Sequence, residues 1–373
     1  MSLLSVYQAV EEYLQKLDFS LLYPGFKKYP YALYNQKQVC LAGEMFPYDE
    51  RFLANTAILL DGTYTAIWNL EDEAELSPAL LASQIVHEMF HCFQLENGES
   101  RFPDDLKLLA FSLDYDYYAA KYLENLCLAR AFSQEAEDLP CAKNLPAGIQ
   151  GLERFFAVRN SRCRKYGESL QEELKTETIE GVAEYVGLKA LRVFHLEEYQ
   201  TKVKTYLHRL EHDFPLLLDI RKSAYFTGSL FCLAAERFQP PLKNAFGEKP
   251  VYLQNLPDSH SVPSALPDAV RDKSLCLIPD VWQFQPPEAL GQEFQKMTQQ
   301  RRLLLSRHQK SRNYTDFPAR ICGYDPMNMF RMGNLLYCSH FLFLQNDAGT
   351  IRRNGPVLAV LKDDSHNEIL GYY

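Results

Sequence analysis

Apolar residues recur every three or four positions along much of the chain, and this period is typical of helices with one buried face. The strongest example spans about residues 78–97. Its apolar face carries Leu81, Ile85, Met89 and Phe93. Ser77 is a good N-cap for this segment, Pro78 suits the first helical position, and Gly98 can close the C-terminus. The pattern therefore predicts one helix of about 30 Å.

The same period predicts several further helices. They lie at about residues 4–17, 104–135, 146–166, 197–213, 223–237 and 288–309. Another helix opens at Ser169, where Glu172 can complete a capping box, and it continues to about residue 195. The Tyr/Pro-rich stretch at residues 23–34 is expected to be a loop. Most of the chain is thus predicted to be helical.

A β-hairpin is predicted between Thr56 and Leu70. Two apolar, β-branched runs flank Asp61-Gly62 there, which is the strongest short turn signal. Near the end of the sequence, apolar runs alternate with turn signals and predict a small antiparallel sheet; the runs are residues 335–344, 356–361 and 368–373. The expected fold class is therefore α+β.

The amino-acid composition of the sequence changes at Pro240-Pro241. Loop-rich segments follow it, and such a composition shift indicates a domain boundary. We therefore expect an N-terminal domain at residues 1–240 and a C-terminal α+β domain of unknown role at residues 241–373.

Composition and charge exclude several classes of protein. The net charge of -9 and the pI near 5.6 argue against nucleic acid or an anionic membrane as the main partner. No apolar run reaches the roughly eighteen residues that a membrane span needs, and the first residues lack the pattern of a signal peptide. Nine cysteines without paired spacing are typical of reduced, mostly buried thiols. We therefore expect a cytoplasmic protein.

The predicted helix at residues 78–97 contains the pentad His87-Glu88-Met89-Phe90-His91. Side chains four positions apart lie on one helical face, so both imidazoles can bind a single zinc ion. Glu88 then lies beside the metal, where it can act as general base toward a zinc-bound water. A core helix with two histidines by accident is the alternative, but about 0.03 such pentads are expected by chance. Cys92 points about 100° away from His91 and is not expected to be a ligand.

Two histidines need a third protein ligand if the fourth coordination position is to hold water. The run TETIEGVAEYVG, residues 176–187, offers Glu180 and Glu184 on one helical face. One of them can bind the metal while the other accepts the N–H of a ligating histidine. Gly181 and Ala183 would let this helix approach the histidine helix closely. A solvated acidic face is the alternative for this run alone, but its pairing with the pentad favours a metal site.

Together, HEMFH and EGVAEY resemble the gluzincin branch of the zincin metallopeptidases, in which a glutamate on a downstream helix completes a His-Glu-x-x-His site. The Glu-Gly-x-Ala-Glu-Tyr form is similar to that of bacterial collagenases, and a Glu-x-x-Ala-Glu variant occurs in anthrax-lethal-factor-like peptidases. The resemblance covers only these two stretches. It implies a zincin-like N-terminal domain with His87, His91 and Glu180 as zinc ligands. It also implies that Glu88 is the general base and that Glu184 is the hydrogen-bond partner of a ligating histidine.

The spacing of the two motifs differs from that of the family. Eighty-nine positions separate His91 from Glu180 (180 − 91), which is more than the few tens usual in that branch. Glu177 and Glu184 therefore stay open as alternative third ligands. Two predicted helices fill the interval, which is compatible with an insertion between the helices that carry the site.

Other features bear on catalysis and on the substrate. Tyr225, which we place at a helix start, is a candidate donor to the oxyanion of a tetrahedral intermediate, although packing is the commoner role of a tyrosine. The edge strand of the predicted hairpin could pair with an extended peptide lying across the metal, or the hairpin could be only a packing sheet. His208 and His212 also stand four positions apart, but no carboxylate follows the first of them, and we expect both at the surface.

The sequence thus predicts a zinc-dependent metallopeptidase that acts on a peptide or protein substrate. One alternative is a non-catalytic binding or regulatory protein that keeps the zincin fold. Another is a zinc hydrolase of non-peptide amides or esters, because the same activated water serves both reactions. Glu88 argues against the non-catalytic alternative, since a scaffold needs the histidines but not the acid between them.

Overall fold

The computed structural model describes residues 2–70, 76–109, 113–132, 147–238 and 281–373. Its fold is α+β, as predicted, with a central group of helices and two separate sheets. Pro240-Pro241 lies outside the described residues, so the division into domains 1–240 and 241–373 stays a prediction.

Most helices follow the sequence pattern, but the single helix expected at residues 104–135 is instead two helices, and Asp114 caps the start of the second one. In chain order they are α1 (Leu3–Leu14), α2 (Phe19–Leu22), α3 (Pro78–Glu96), α4 (Asp105–Leu108), α5 (Tyr115–Arg130), α6 (Ala147–Tyr166), α7 (Gln171–Thr176), α8 (Val182–Phe194), α9 (Leu196–His212), α10 (Phe214–Leu217), α11 (Ile220–Phe238) and α12 (Glu288–Ser311). A π-helical turn, Glu177–Gly181, joins α7 to α8 without a break. None of the described helices is both long and apolar enough to cross a membrane.

Two helix starts differ from the prediction. Helix α7 begins at Gln171, two residues later than expected, with Leu170 at its N-cap; the side chain of Ser169, expected to form a capping box with Glu172, lies outside the described side chains. The Glu172 carboxylate accepts a hydrogen bond from the backbone N–H of Asp104 at 2.6 Å, because the first turn of α4 lies within its reach. Helix α11 begins at Ile220, earlier than expected.

The predicted hairpin is confirmed, but it belongs to a larger sheet. The five strands are β1 (Tyr31–Tyr34), β2 (Gln38–Leu41), β3 (Glu44–Pro47), β4 (Thr56–Leu60) and β5 (Thr63–Asn69), in the order β3-β2-β1-β5-β4. Asp61 and Gly62 have φ of 48° and 83°, the positive values that a tight two-residue hairpin turn requires. Strand β1 pairs in parallel with β5, so the loop expected at residues 23–34 is wrong in part. All four residues of β1 are buried, and a strand buried on both faces lacks the alternating pattern.

The sheet predicted near the end of the sequence is antiparallel throughout and has seven strands. They are β6 (Thr315–Tyr324), β7 (Met329–Met332), β8 (Leu335–Cys338), β9 (Phe341–Asn346), β10 (Gly349–Asn354), β11 (Val357–Leu361) and β12 (Glu368–Tyr372). The sequence analysis missed β6, β7 and β10. Leu106 of α4 is buried among the inward-facing residues of this sheet. Helix α4 therefore connects the sheet to the helical core.

Helix α3 lies at the centre of the main core and packs against α8 and β5. Its boundaries are those that the sequence dictates: the Ser77 hydroxyl accepts a hydrogen bond from Leu80 N–H at 3.1 Å, and Pro78 is the first helical residue. Gly98 follows the helix with a φ of 74°, which favours glycine. All residues of the predicted apolar face are buried; they are Leu81, Ile85, Met89 and Phe93.

Three glycines allow neighbouring helices to pack closely near the π-helical turn. A Cβ atom on Gly181 would lie 2.5 Å from the Cα of Gly228 in α11, and one on Gly228 would lie 2.6 Å from the carbonyl oxygen of Glu177. Gly181 therefore faces α11 and not the histidine helix, contrary to the prediction. The close approach to α3 is made by Gly187, where a Cβ atom would lie 2.9 Å from the carbonyl oxygen of Ser83.

The Gly228→Ala substitution is expected to lower the free energy of unfolding by about 1–3 kcal/mol, because the new methyl group overlaps backbone atoms of the π-helical turn. Gly291→Ala in α12 is a matched control, since its Cβ atom would meet only the Tyr115 hydroxyl, at 3.4 Å. Alanine favours a helix by about 1 kcal/mol over glycine, so this control should be as stable as the wild type or more stable. Chemical denaturation measures the free energy of unfolding of both variants. Equal values for Gly228→Ala and Gly291→Ala would contradict the close contact between Gly228 and the π-helical turn.

Candidate metal centre

His87 and His91 lie on one face of α3, one turn apart. Their Nε2 atoms are 3.1 Å apart, and the two side chains are only 5% and 12% exposed. Lone pairs that face each other at this distance repel unless a proton or a metal ion lies between them. The pentad therefore creates a site for a cation.

Glu180 completes this pair from the π-helical turn. Its Oε2 atom lies 3.1 Å from His91 Nε2 and 3.6 Å from His87 Nε2. A tetrahedral zinc ion with bonds of about 2 Å needs donor atoms about 3.3 Å apart, close to the observed separations. Two imidazole nitrogens and one carboxylate oxygen thus form a buried group that could hold a metal ion.

Glu184 contacts the Nδ1 side of His87, away from Glu180, and orients the imidazole ring. Its Oε2 atom is 3.1 Å from His87 Nδ1, so the ring donates its Nδ1–H and turns the Nε2 lone pair toward Glu180. The other oxygen accepts a hydrogen bond from the Tyr206 hydroxyl at 2.6 Å and forms an ion pair with Lys202 at 2.9 Å. Burial opposes ionisation of this carboxyl group, but Lys202 and the hydrogen bonds lower the pKa of Glu184 to about 2. Sequence reasoning missed the two residues of α9.

Gln94 has the corresponding role for His91. Its Oε1 atom lies 2.8 Å from His91 Nδ1, and its amide nitrogen donates to the carbonyl oxygen of Ile179 at 3.2 Å. The side chain is fully buried. This residue was not predicted from the sequence, although a glutamine three positions after a candidate ligand histidine, on a buried face, was a usable signal.

The second oxygen of Glu180 is held from α11. Arg221 donates to Oε1 at 3.1 Å, and the same guanidinium pairs with Asp105 of α4. Burial opposes ionisation, but the neighbouring imidazoles, His91 above all, and Arg221 hold the pKa of Glu180 well below its usual range. Nothing in the sequence pattern indicated Arg221, which lies 41 positions beyond Glu180.

Glu88 lies beside the two histidines and is 7% exposed. Burial raises the pKa of this carboxyl group, and the nearby imidazoles act in the opposite direction. The described residues give its carboxylate no hydrogen bond. A carboxylate without a competing partner and with a raised pKa is well suited to accept a proton.

Tyr225 lies within the same site, although it is in the second turn of α11 and not at a helix start as predicted. Its ring stacks on that of His87, with centroids 5.9 Å apart and an interplanar angle of 6°. Its phenol interacts electrostatically with the Glu180 carboxylate. Burial and the Glu180 charge raise the pKa of Tyr225 well above its usual value, so the phenol keeps its proton and can donate.

Glu177, an alternative third ligand, points into a separate cluster that we name the buried ion network. Its members are Lys121, Glu124, Arg159, Arg162, Glu173 and Glu177. Arg159 lies 2.7 Å from Glu177, and Lys121 lies 2.9 Å from it. The three carboxylates are close enough together to hold a metal ion, but lysine and arginine nitrogens already neutralise them. Glu177 therefore is not directed at the histidines.

His208 and His212 lie on α9 and are both exposed, which confirms the surface prediction. Seven cysteines fall within the described residues; all are free, and five of them are buried. Cys92 is among the buried ones and has no part in the metal group formed by the described residues.

Comparison of the chain with protein-family models, with curated proteins and with solved structures finds no match. The resemblance to the gluzincin branch therefore rests on the two short motifs alone.

Proposed function

We propose that the protein is a zinc-dependent metallopeptidase. The observation that carries this proposal is the convergence of His87, His91 and Glu180 on one point, with Glu88 beside them on the same helix. Three protein ligands with a mixed nitrogen and oxygen donor set are typical of catalytic zinc, because they leave a position for water. A purely structural zinc site has four protein ligands and needs no adjacent acid.

The residues of the site have separate proposed roles. Zinc held here would lower the pKa of a bound water to about 7. Glu88 would accept the proton of the attacking water and deliver it to the leaving amine. The Tyr225 hydroxyl would donate a hydrogen bond to the oxyanion of the tetrahedral intermediate, a contribution of up to a few kcal/mol. Glu184 would keep His87 in the tautomer that ligation requires.

A peptide or protein substrate is favoured by the position of β4. This strand is at the edge of the five-stranded sheet, and it packs against α3. No described strand pairs with its outer side, so its outward backbone groups can form hydrogen bonds with an extended peptide. A small amide or ester would make no use of such an edge.

Metal content, measured by elemental analysis, tests this proposal. The wild type is expected to bind about one zinc ion per chain, whereas Glu180→Ala and His91→Ala should lose it because two ligands hold zinc poorly. His208→Ala is a matched control, since it removes an exposed histidine from another helix, and it should keep its zinc.

The possible outcomes separate the ligand assignment from the function. Zinc retained by Glu180→Ala would move the third ligand to another carboxylate. A wild-type protein without zinc, even after reconstitution, would overturn the metallopeptidase proposal.

A further inference from the structure

We propose that Arg221 is a positioning residue for the third metal ligand. Together with Asp105 it forms a clamp that holds Glu180 with a single carboxylate oxygen turned toward the histidines. This inference rests on the metal site proposed above.

The two oxygens of Glu180 have different surroundings. Oε2 lies 3.1 Å from His91 Nε2, whereas Oε1 accepts a hydrogen bond from Arg221 at 3.1 Å. A free carboxylate can bind a metal ion through one oxygen or through both. Here Oε1 cannot turn toward the histidines without losing a charge-assisted hydrogen bond in a buried site. A single bound oxygen leaves the open position that a catalytic site needs.

Arg221 is itself held in place. One of its terminal nitrogens faces Glu180 and the other pairs with Asp105; these side chains are only 10–15% exposed. The planar guanidinium can bridge two carboxylates at a fixed angle, which a lysine ammonium group cannot do. Tyr225 stands four positions after Arg221 on α11, so both residues approach Glu180 from the same face of one helix.

The clamp also connects the metal centre to the seven-stranded sheet. Asp105 lies on α4 next to Leu106, which is buried in the hydrophobic cluster of that sheet. The Tyr324 side chain of β6 interacts electrostatically with Asp105. The sheet thereby fixes one end of the clamp, and we infer that it supports the geometry of the metal ligand Glu180.

Zinc affinity of the full-length protein, measured by competition with a chelator, tests this inference on four variants. Arg221→Lys keeps the positive charge but loses the planar guanidinium that can bridge two carboxylates. Arg221→Met loses both the charge and the guanidinium, and Asp105→Asn weakens the ion pair that holds Arg221 in place. Lys222→Met is the matched control, because Lys222 is the next residue on α11 and, among the described residues, its ammonium group pairs with the half-buried Asp219 and not with the metal centre. Thermal unfolding of the metal-free proteins reports the fold separately, and X-ray absorption counts the oxygen ligands of the bound zinc.

Arg221→Lys and Arg221→Met are both expected to bind zinc about 10- to 100-fold more weakly, with a smaller loss in Asp105→Asn and none in Lys222→Met. The zinc of the Arg221 variants should gain an oxygen ligand, which a loss of stability alone would not cause. If Arg221 acted only through its charge, Arg221→Lys would match the wild type and Arg221→Met would bind zinc more tightly. Either result would overturn the clamp while leaving the proposed function intact. A wild type that binds no zinc would instead overturn the proposed function, and the clamp with it.

Discussion

Glu88→Gln is expected to keep the fold and the metal and to lose peptide hydrolysis by a factor of about 10²–10⁴ or more. The amide cannot accept the proton of the attacking water, and general base catalysis contributes about this factor. The three proposed ligands, His87, His91 and Glu180, are unchanged in this variant.

The expected stability of this variant follows from the surroundings of Glu88. The side chain is 7% exposed, and its carboxylate accepts no hydrogen bond from the described residues. Glutamine has the same shape, so its amide fills the same space without breaking a hydrogen bond of the described residues. Burial raises the pKa of Glu88, which means that the folded protein disfavours the charge that the substitution removes.

Cleavage of a quenched-fluorescent peptide library, together with zinc content, measures the effect. Glu96→Gln is a matched control on the same helix: Glu96 is 44% exposed and pairs with Lys27 and Tyr29 outside the site. It should keep its activity. A Glu88→Gln protein that still cleaves peptides at the wild-type rate would contradict the proposed role of Glu88.

Arg159→Met is expected to lower the free energy of unfolding by about 3–5 kcal/mol. Arg159 is 2% exposed and lies 2.6 Å from Glu124 and 2.7 Å from Glu177, so its loss leaves two buried carboxylates with too few cations. Although burial opposes ionisation, Arg159 is the largest influence that holds the pKa of Glu124 well below its usual value and that of Glu177 at about 2. An uncompensated buried charge is costly because the protein interior screens it poorly.

Chemical denaturation measures this loss against Arg164→Met as the matched control. Arg164 lies on the same helix, α6, but is exposed, and among the described residues its side chain hydrogen-bonds with the hydroxyl of Ser161 alone. That variant should stay within about 0.5 kcal/mol of the wild type. If Arg159→Met and Arg164→Met were equally stable, the buried ion network would contribute nothing to folding.

The pentad and its helix could be predicted from the sequence because the information they depend on is local. The spacing of His87 and His91 places both imidazoles on one face, and Ser77 with Pro78 sets the helix start. The hairpin at Asp61-Gly62 is equally local, since two positive φ values are set by two residues. Neither feature needs a distant part of the chain.

The third ligand depended on tertiary structure. Glu177, Glu180 and Glu184 are near in sequence, and helical spacing alone left each of them open as the metal ligand. The π-helical turn and the contact between Gly181 and Gly228 direct Glu177 into the buried ion network and Glu180 toward the histidines. Residues of α9 bind Glu184 from the other side.

The residues that orient the ligands were the least accessible to sequence reasoning. Arg221 contacts Glu180 across 41 positions, and Tyr206 contacts Glu184 across 22. An arginine or a tyrosine on an amphipathic helix has the same pattern whether it faces solvent or a carboxylate. Periodicity determines which face of a helix is buried, but only the packing of helices against one another determines which polar groups meet there. The sequence therefore determined that this chain has a buried helix with a His-Glu-x-x-His pentad that could bind a metal ion. The tertiary structure decided which carboxylate lies close enough to complete the group, because helical periodicity is a local property and does not specify which residues of other elements pack beside it.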